Sequence, residues 1–230
     1  MSDDLLLVVG ISVAVVMLVV ALLWNFFQER RHRRQWGVFA ERYGMTFQPA
    51  TWLRADMMLY GLFRGHHIRL DREVVQSGRS KTYYSVYQVR LSEPWKCGIK
   101  IRNREFSDRV AAKFRGLKGY RVGVDEFDEG FLIERPVPPE LEQALKQTEV
   151  QDALLRVANL GGRMRVEGGL LRVRQIGTTS KAIEMKMIFD RLCDAAELLD
   201  EAAAGPLGLE AQESLPDQVS AADDFAGVAW

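Results

Sequence analysis

The apolar positions of the chain follow three rhythms, and each predicts a different kind of element. From Leu5 to Phe27 the sequence reads LLLVVGISVAVVMLVVALLWNFF, 23 residues without a charge. As a helix rising 1.5 Å per residue this stretch is roughly 34 Å long, enough to cross a hydrocarbon core of about 30 Å. It is apolar on every side, and only Asp3 and Asp4 precede it, so it lacks the basic leader and small-residue cleavage site of a secretory signal. A single retained transmembrane helix is the expectation. The period then becomes that of an amphipathic helix: Trp36, Phe39, Ala40 and Tyr43 recur at helical spacing, and Gly44 supplies a stop.

From Met57 the period shortens to that of strands. MMLYGLFRG and HHIRLDREVV pair around Arg64-Gly65, a polar loop QSGRSK follows, and YYSVYQVRLS and CGIKIRNR are separated by Glu93-Pro94-Trp95-Lys96. Four strands in series predict an antiparallel meander. Ser107 is an N-cap for a short helix through Lys113 and Phe114 to Gly116. FLIERP, 131–136, reads as a strand; Pro138-Pro139-Glu140 opens a helix; a second helix runs from about Glu149 to Leu160 and closes at Gly161-Gly162. Beyond Thr178-Thr179-Ser180 the stripe Ile183, Met187, Ile188, Leu192, Ala195 and Leu199 predicts a long helix ended by Gly205-Pro206.

These elements give an α+β fold class: a single N-terminal transmembrane helix followed by a cytoplasmic domain of antiparallel strands covered on one face by helices, in one lobe or two. The expected organisation is an N-terminal tail and transmembrane helix over 1–27, a basic juxtamembrane amphipathic helix over 28–44, the α+β domain over 45–204, and an acidic, disordered tail over 205–230.

Charge sharpens this picture. The formal net charge is zero, yet Gln28 to Arg135 carries nine more basic than acidic residues, while the last 25 residues carry five acids and no base. Arg30, Arg31, Arg33 and Arg34 follow the span and no Lys or Arg precedes it. By the positive-inside rule the N-terminus lies outside and everything from Gln28 is cytoplasmic, at a bacterial inner membrane, with Trp24, Phe26, Phe27 and Trp36 as interfacial anchors. The same arginines attract anionic headgroups, as any basic flank does.

Few residues point to chemistry. His66-His67 are adjacent on a strand, so their side chains diverge and cannot share one ion, and no carboxylate or thiol stands at ligand spacing. Counting Asp125 as the first position of a calcium loop puts Phe127 third and Pro136 twelfth, where ligands are required. The segment reads instead as an exposed acidic turn, with an acid–base role for Asp125 and Asp128 as the catalytic alternative. No phosphate-binding glycine loop occurs, and Cys97 and Cys193 form neither a redox motif nor a metal cluster. No cofactor, metal or catalytic residue is implied, and nucleic acid is not an expected partner, for want of a recognised module.

The strongest local signal is GGRMRVEGGLLRVRQ, Gly161 to Gln175. A two-residue turn at Gly168-Gly169 sets Val166 opposite Leu171, Arg165 opposite Arg172 and Arg163 opposite Arg174. Met164, Val166, Leu171 and Val173 then pack inward while Arg163, Arg165, Arg172 and Arg174 share one face. Like charges opposed across strands are mildly destabilising, which implies an anionic counterpart: the acidic tail, the inner-leaflet phosphates or an acidic protein partner.

The run VGVDEFDEGFLIERPVPPELEQAL, the following helix, GGRMRVEGGLLRV and the earlier LYGLFRGHHIRL together resemble uncharacterised bacterial membrane-anchored proteins that carry a D-x-x-FD-x-x-F turn followed by a basic hairpin. The resemblance covers Leu59 to Val173 and implies an anchored α+β module with no established activity, in which Phe127 and Phe131 anchor the core and Asp125 and Asp128 close the turn. The expected function is a membrane-anchored binding or scaffolding module. The alternatives are an enzyme with a site near Asp125 and Asp128, or a sensor of anionic lipid headgroups.

Overall fold

The computed structural model describes residues 2–50, 56–78, 80–92, 95, 98–104, 119–134 and 137–204, apart from the side chains of 2–11, 14, 25 and 140. Cys97, the helix expected after Ser107 and the acidic tail lie outside the described residues. Eight strands form one sheet in the order β1-β2-β3-β4-β8-β7-β5-β6, with every neighbouring pair antiparallel. The strands are β1 Thr46–Gln48, β2 Met58–Phe63, β3 His66–Ser77, β4 Ser80–Arg90, β5 Lys100–Asn103, β6 Phe131–Ile133, β7 Arg163–Glu167 and β8 Leu170–Ile176. The helices are α1 Ser2–Tyr43, α2 Asp125–Gly130, α3 Pro139–Lys146, α4 Thr148–Ala158 and α5 Ala182–Ala204. The fold is α+β, and the described strands make a single sheet over one hydrophobic core, so the second lobe allowed by the sequence does not appear among them.

α1 unites the span and the amphipathic helix expected from sequence in one continuous element. Its first part exposes Val13, Val15 to Val20 and Leu22 to Trp24 together with Phe26 and Phe27. Among the described residues, no helix is long and apolar enough to cross a membrane. Its last turns dock: Trp36, Phe39 and Ala40 are buried, and Phe39 lies among Tyr43, Phe63 and Phe189 with ring centroids 4.7 to 6.4 Å away. Gly44, at φ +65°, reverses the chain, with Met45 N–H donating to Ala40 O at 2.8 Å in the six-to-one bond that closes a helix on a left-handed residue. Trp36 is therefore not an interfacial anchor. It is fully buried and its Nε1 donates to Thr179 O at 2.9 Å, because the helical period that marked the segment as amphipathic turns this face to the domain.

Two further expectations change. The polar loop after β3 is a tight reversal at Gly78, so β3 and β4 extend to Ser77 and Ser80. The meander breaks after β4, whose far edge is taken by β8 from Tyr84↔Ile176 to Arg90↔Leu170. β5 lies two strands away, between β7 and β6. Trp95 pins this crossover: it is fully buried, its Nε1 donates to Leu199 O at 3.2 Å, and its carbonyl accepts from Gly169 N.

Alternation divides the sheet into two faces. Leu59, Ile68, Leu70, Tyr87, Val89, Ile101, Met164, Val166, Leu171 and Val173 are buried in the core shared with α3, α4 and α5. α5 meets it with Met185, Ile188, Phe189, Leu192, Cys193, Ala195, Ala196 and Leu199, while Ile183 and Met187, expected on the stripe, are exposed. Apolar residues occupy more than one side of α5, and the side bearing Phe189, which packs edge-on to Tyr87 at 5.3 Å, is the one buried. The acidic turn is a helix instead: in α2, Asp128 is buried and accepts from Val122 N at 2.9 Å and Gly123 N at 3.1 Å, whereas Asp125 is exposed and takes no part in that closure. Phe127 and Phe131 are core residues, 4.7 Å apart at their centroids.

Candidate functional site

The hairpin forms in the register its glycines dictate. Gly168 and Gly169 take φ of +59° and +74°, the conformation of a two-residue turn that suits the twist of the flanking strands. Arg163 faces Arg174, Arg165 faces Arg172, and Val166 faces Leu171. Met164, Val166, Leu171 and Val173 are buried, and the four arginines share the opposite, open face of the sheet.

Pairing on either side lengthens this patch into a row. Arg172 stands opposite Gln88, and Gln88 opposite Arg69, while on the other flank Arg165 stands opposite Arg102. Across five adjacent strands the row reads Arg69, Gln88, Arg172, Arg165, Arg102, a span of roughly 19 Å at about 4.8 Å per strand. The next row places Asp71, Val86, Arg174 and Arg163 side by side. These residues line an open groove of about 880 Å³, in which seven arginines meet four carboxylates, Asp56, Asp71, Glu73 and Glu167.

Several of these charges are paired in place. Arg69 Nε lies 2.9 and 2.8 Å from the two oxygens of Asp71, Arg174 reaches Glu73 at 3.0 Å and lies 3.8 Å over the Tyr84 ring, and Arg165 reaches Glu167 at 3.2 Å. Arg102 and Lys100 share Glu134, the latter at 3.1 Å. Burial pushes the Asp71 carboxyl upward against the pull of Arg69. Burial also pushes Arg172 down to about 10, Glu167 and Asp71 opposing that shift while Arg165 and Arg69 add to it. Gln88, only 1% exposed, donates from Nε2 to Asp71 Oδ2 at 2.8 Å, while its Oε1 is buried without a hydrogen-bond partner among the described residues.

The sheet is not indifferent to charge elsewhere. One pair along the same strands, Lys100 stands opposite Glu167, a complementary arrangement. The opposed arginines are thus confined to the rows that line the groove.

A second polar cluster joins α1 to the domain. Glu29 pairs with the buried Arg72 of β3 and with Arg33, and these partners draw its carboxyl down although burial resists them. His32 is held below the usual imidazole range, chiefly by burial, with Arg72 and Arg31 adding to the effect and Thr179 and Glu29 opposing it. Tyr87 Oη donates to Thr179 Oγ1 at 2.6 Å, and Thr179 N donates to Ser85 Oγ at 2.9 Å. Arg30, Arg31 and Arg34 are exposed beyond this cluster, as Arg33 is at its edge, with Arg30 4.4 Å over the Phe26 ring.

Sequence reasoning set Arg163, Arg165, Arg172 and Arg174 on one face, and the structure places them there. It missed Arg69, Gln88 and Arg102, which fall on three other strands and meet the hairpin only through long-range pairing. Their alternation with buried apolar residues was the available signal. His66 and His67 are both half-buried on opposite faces, His66 lying 3.6 Å from Glu197. Among the described residues no cluster of His, Cys, Asp and Glu could hold a metal ion. Comparison of the chain with family models, with curated proteins and with solved structures found no match in any of the three.

Proposed function

We propose that this is a single-pass membrane protein whose cytoplasmic domain is a binding module, with the open arginine face as its ligand surface. The observation that carries the reading is the row of arginines opposed across adjacent strands. Each like-charge pair costs a few tenths of a kcal/mol, up to about 1, so burial of the apolar face alone gives no reason for it. An anion bridging the guanidiniums reverses the sign of that term.

Support for the anchor comes from Leu5–Phe27, a run of 23 uncharged residues on a helix whose apolar side chains at Val13, Val15 to Val20, Leu22 to Trp24, Phe26 and Phe27 are exposed rather than packed. Such a surface is stable in lipid and costly in water. The arginines that follow the run orient it with the domain in the cytoplasm of a bacterial cell. The acid–base alternative has less behind it, because both oxygens of Asp128 are engaged by backbone N–H groups that close its own loop.

Alkaline carbonate extraction of membranes, combined with a reporter that is active only in the cytoplasm fused after Trp230, tests the reading. The chain is expected in the membrane pellet with an active reporter. Release by carbonate, or export of the reporter, overturns it.

A further inference from the structure

Deepening the binding-module reading, on which this step rests, we propose that the groove takes a phosphorylated polyol: its phosphoryl group sits among Arg102, Arg165 and Arg172, and one of its hydroxyls donates to Gln88 Oε1. Three observations lead there. Arg102, Arg165 and Arg172 occupy one row on three consecutive strands, so their Cα atoms span roughly 10 Å, a distance over which long side chains can reach a single anion. A carboxylate presents two oxygens in one plane, whereas a phosphoryl group offers a third oxygen and a tetrahedral shape that suits forks arriving from several directions. The three cations in this group are all arginine, the residue suited to that geometry.

The polyol follows from Gln88. Its Nε2 is committed to the Asp71 carboxylate, which Arg69 clasps in turn, so the amide cannot turn over without setting two oxygens against each other. Oε1 is left as a buried acceptor directly beside Arg172 in the row. Buried acceptors are rarely left without a partner, and a hydroxyl carried by the ligand would supply the donor.

A glycerophosphate borne by a lipid and a soluble sugar or glycerol phosphate share the chemistry the site requires.

The test uses the full chain in phosphatidylcholine nanodiscs. Calorimetric titration with sn-glycerol 3-phosphate and with inorganic phosphate forms the soluble arm; co-sedimentation with phosphatidylglycerol vesicles, against phosphatidylcholine vesicles, forms the lipid arm. Saturable binding in either arm, weakened about tenfold or more in Arg165→Gln/Arg172→Gln with an unchanged thermal midpoint, is the expected result, and the arm that responds identifies the source. Gln88→Met is expected to weaken the polyol phosphate and spare inorganic phosphate, a difference within one protein that a folding defect cannot mimic. If neither arm binds while the chain remains membrane-bound and the reporter cytoplasmic, the ligand assignment fails and the binding-module reading stands. Binding that survives the double arginine substitution, or a Gln88→Met effect equal for both probes, also overturns the assignment.

Discussion

Trp36 decides between an α1 that merely leads out of the proposed anchor and one that is built into the domain. Its indole is fully buried and its Nε1–H is used by Thr179 O. Replacing a buried Trp with Ala costs about 3–5 kcal/mol through lost burial and the cavity left behind. Trp36→Phe keeps much of the packing but removes the indole donor from the Thr179 carbonyl, at a cost of about 1–2 kcal/mol. A domain of this size has a total stability of about 5–15 kcal/mol, so the alanine variant should fold but with a much reduced margin. With a urea dependence of about 2 kcal/mol per molar, Trp36→Ala should lower the unfolding midpoint by about 2 M and Trp36→Phe by about 0.5–1 M. The measurement is urea unfolding of the full chain in nanodiscs, followed by tyrosine and tryptophan fluorescence. A midpoint unmoved by Trp36→Ala would refute the packing argument and restore the indole to the bilayer interface.

Three other outcomes follow from the same geometry. Asp128→Ala leaves the Val122 and Gly123 N–H groups without their acceptor and is expected to cost about 3 kcal/mol by chemical denaturation; a loss below about 0.5 kcal/mol would show that Asp128 is not what closes the loop before α2. Because the folded-state pKa of His32 is depressed, its contribution to stability is present above about pH 6.5, where the unfolded imidazole is already neutral, and is lost as pH falls below that value, since the unfolded chain then binds a proton that the folded one resists. Wild type should therefore lose more stability than His32→Gln between about pH 7.5 and 5.5, and equal losses would show that this imidazole is not linked to folding. Burial pushes the Cys193 thiol up to about 12, so in a Cys97→Ser background it should resist maleimide until the domain is unfolded; rapid labelling of the native chain would contradict its placement in the α5 core.

What the sequence revealed and what it hid have separable causes. The β7–β8 hairpin was legible to the residue because two glycines fix the turn and strict alternation leaves one register that buries the apolar set. The docking half of α1 was legible for a similar reason, Trp36, Phe39, Ala40 and Tyr43 marking one face and Gly44 its end. Which environment that face meets was not, since an aromatic after a basic flank suits an interface as well as a core. The partner of β5 was hidden because pairing across more than sixty residues leaves no local trace. The row therefore appeared only as four arginines of one hairpin, and Arg69, Gln88 and Arg102 joined it through topology. For α5, apolar residues on several sides left the phase to be set by packing around Phe189.

If the proposed function holds, ligand recognition belongs to the open sheet face, and Arg30, Arg31, Arg33 and Arg34 act only as a topology signal. Nitrogen-15 spectra of the arginine Nε–H groups, recorded on the full chain in phosphatidylcholine nanodiscs during titration with sn-glycerol 3-phosphate, separate these two basic surfaces directly. The predicted result is a saturating shift of Arg102, Arg165 and Arg172, with smaller changes at Arg69 and Arg174 and none at Arg30, Arg31, Arg33 or Arg34. Shifts confined to those last four, with the groove arginines unmoved, would contradict the account.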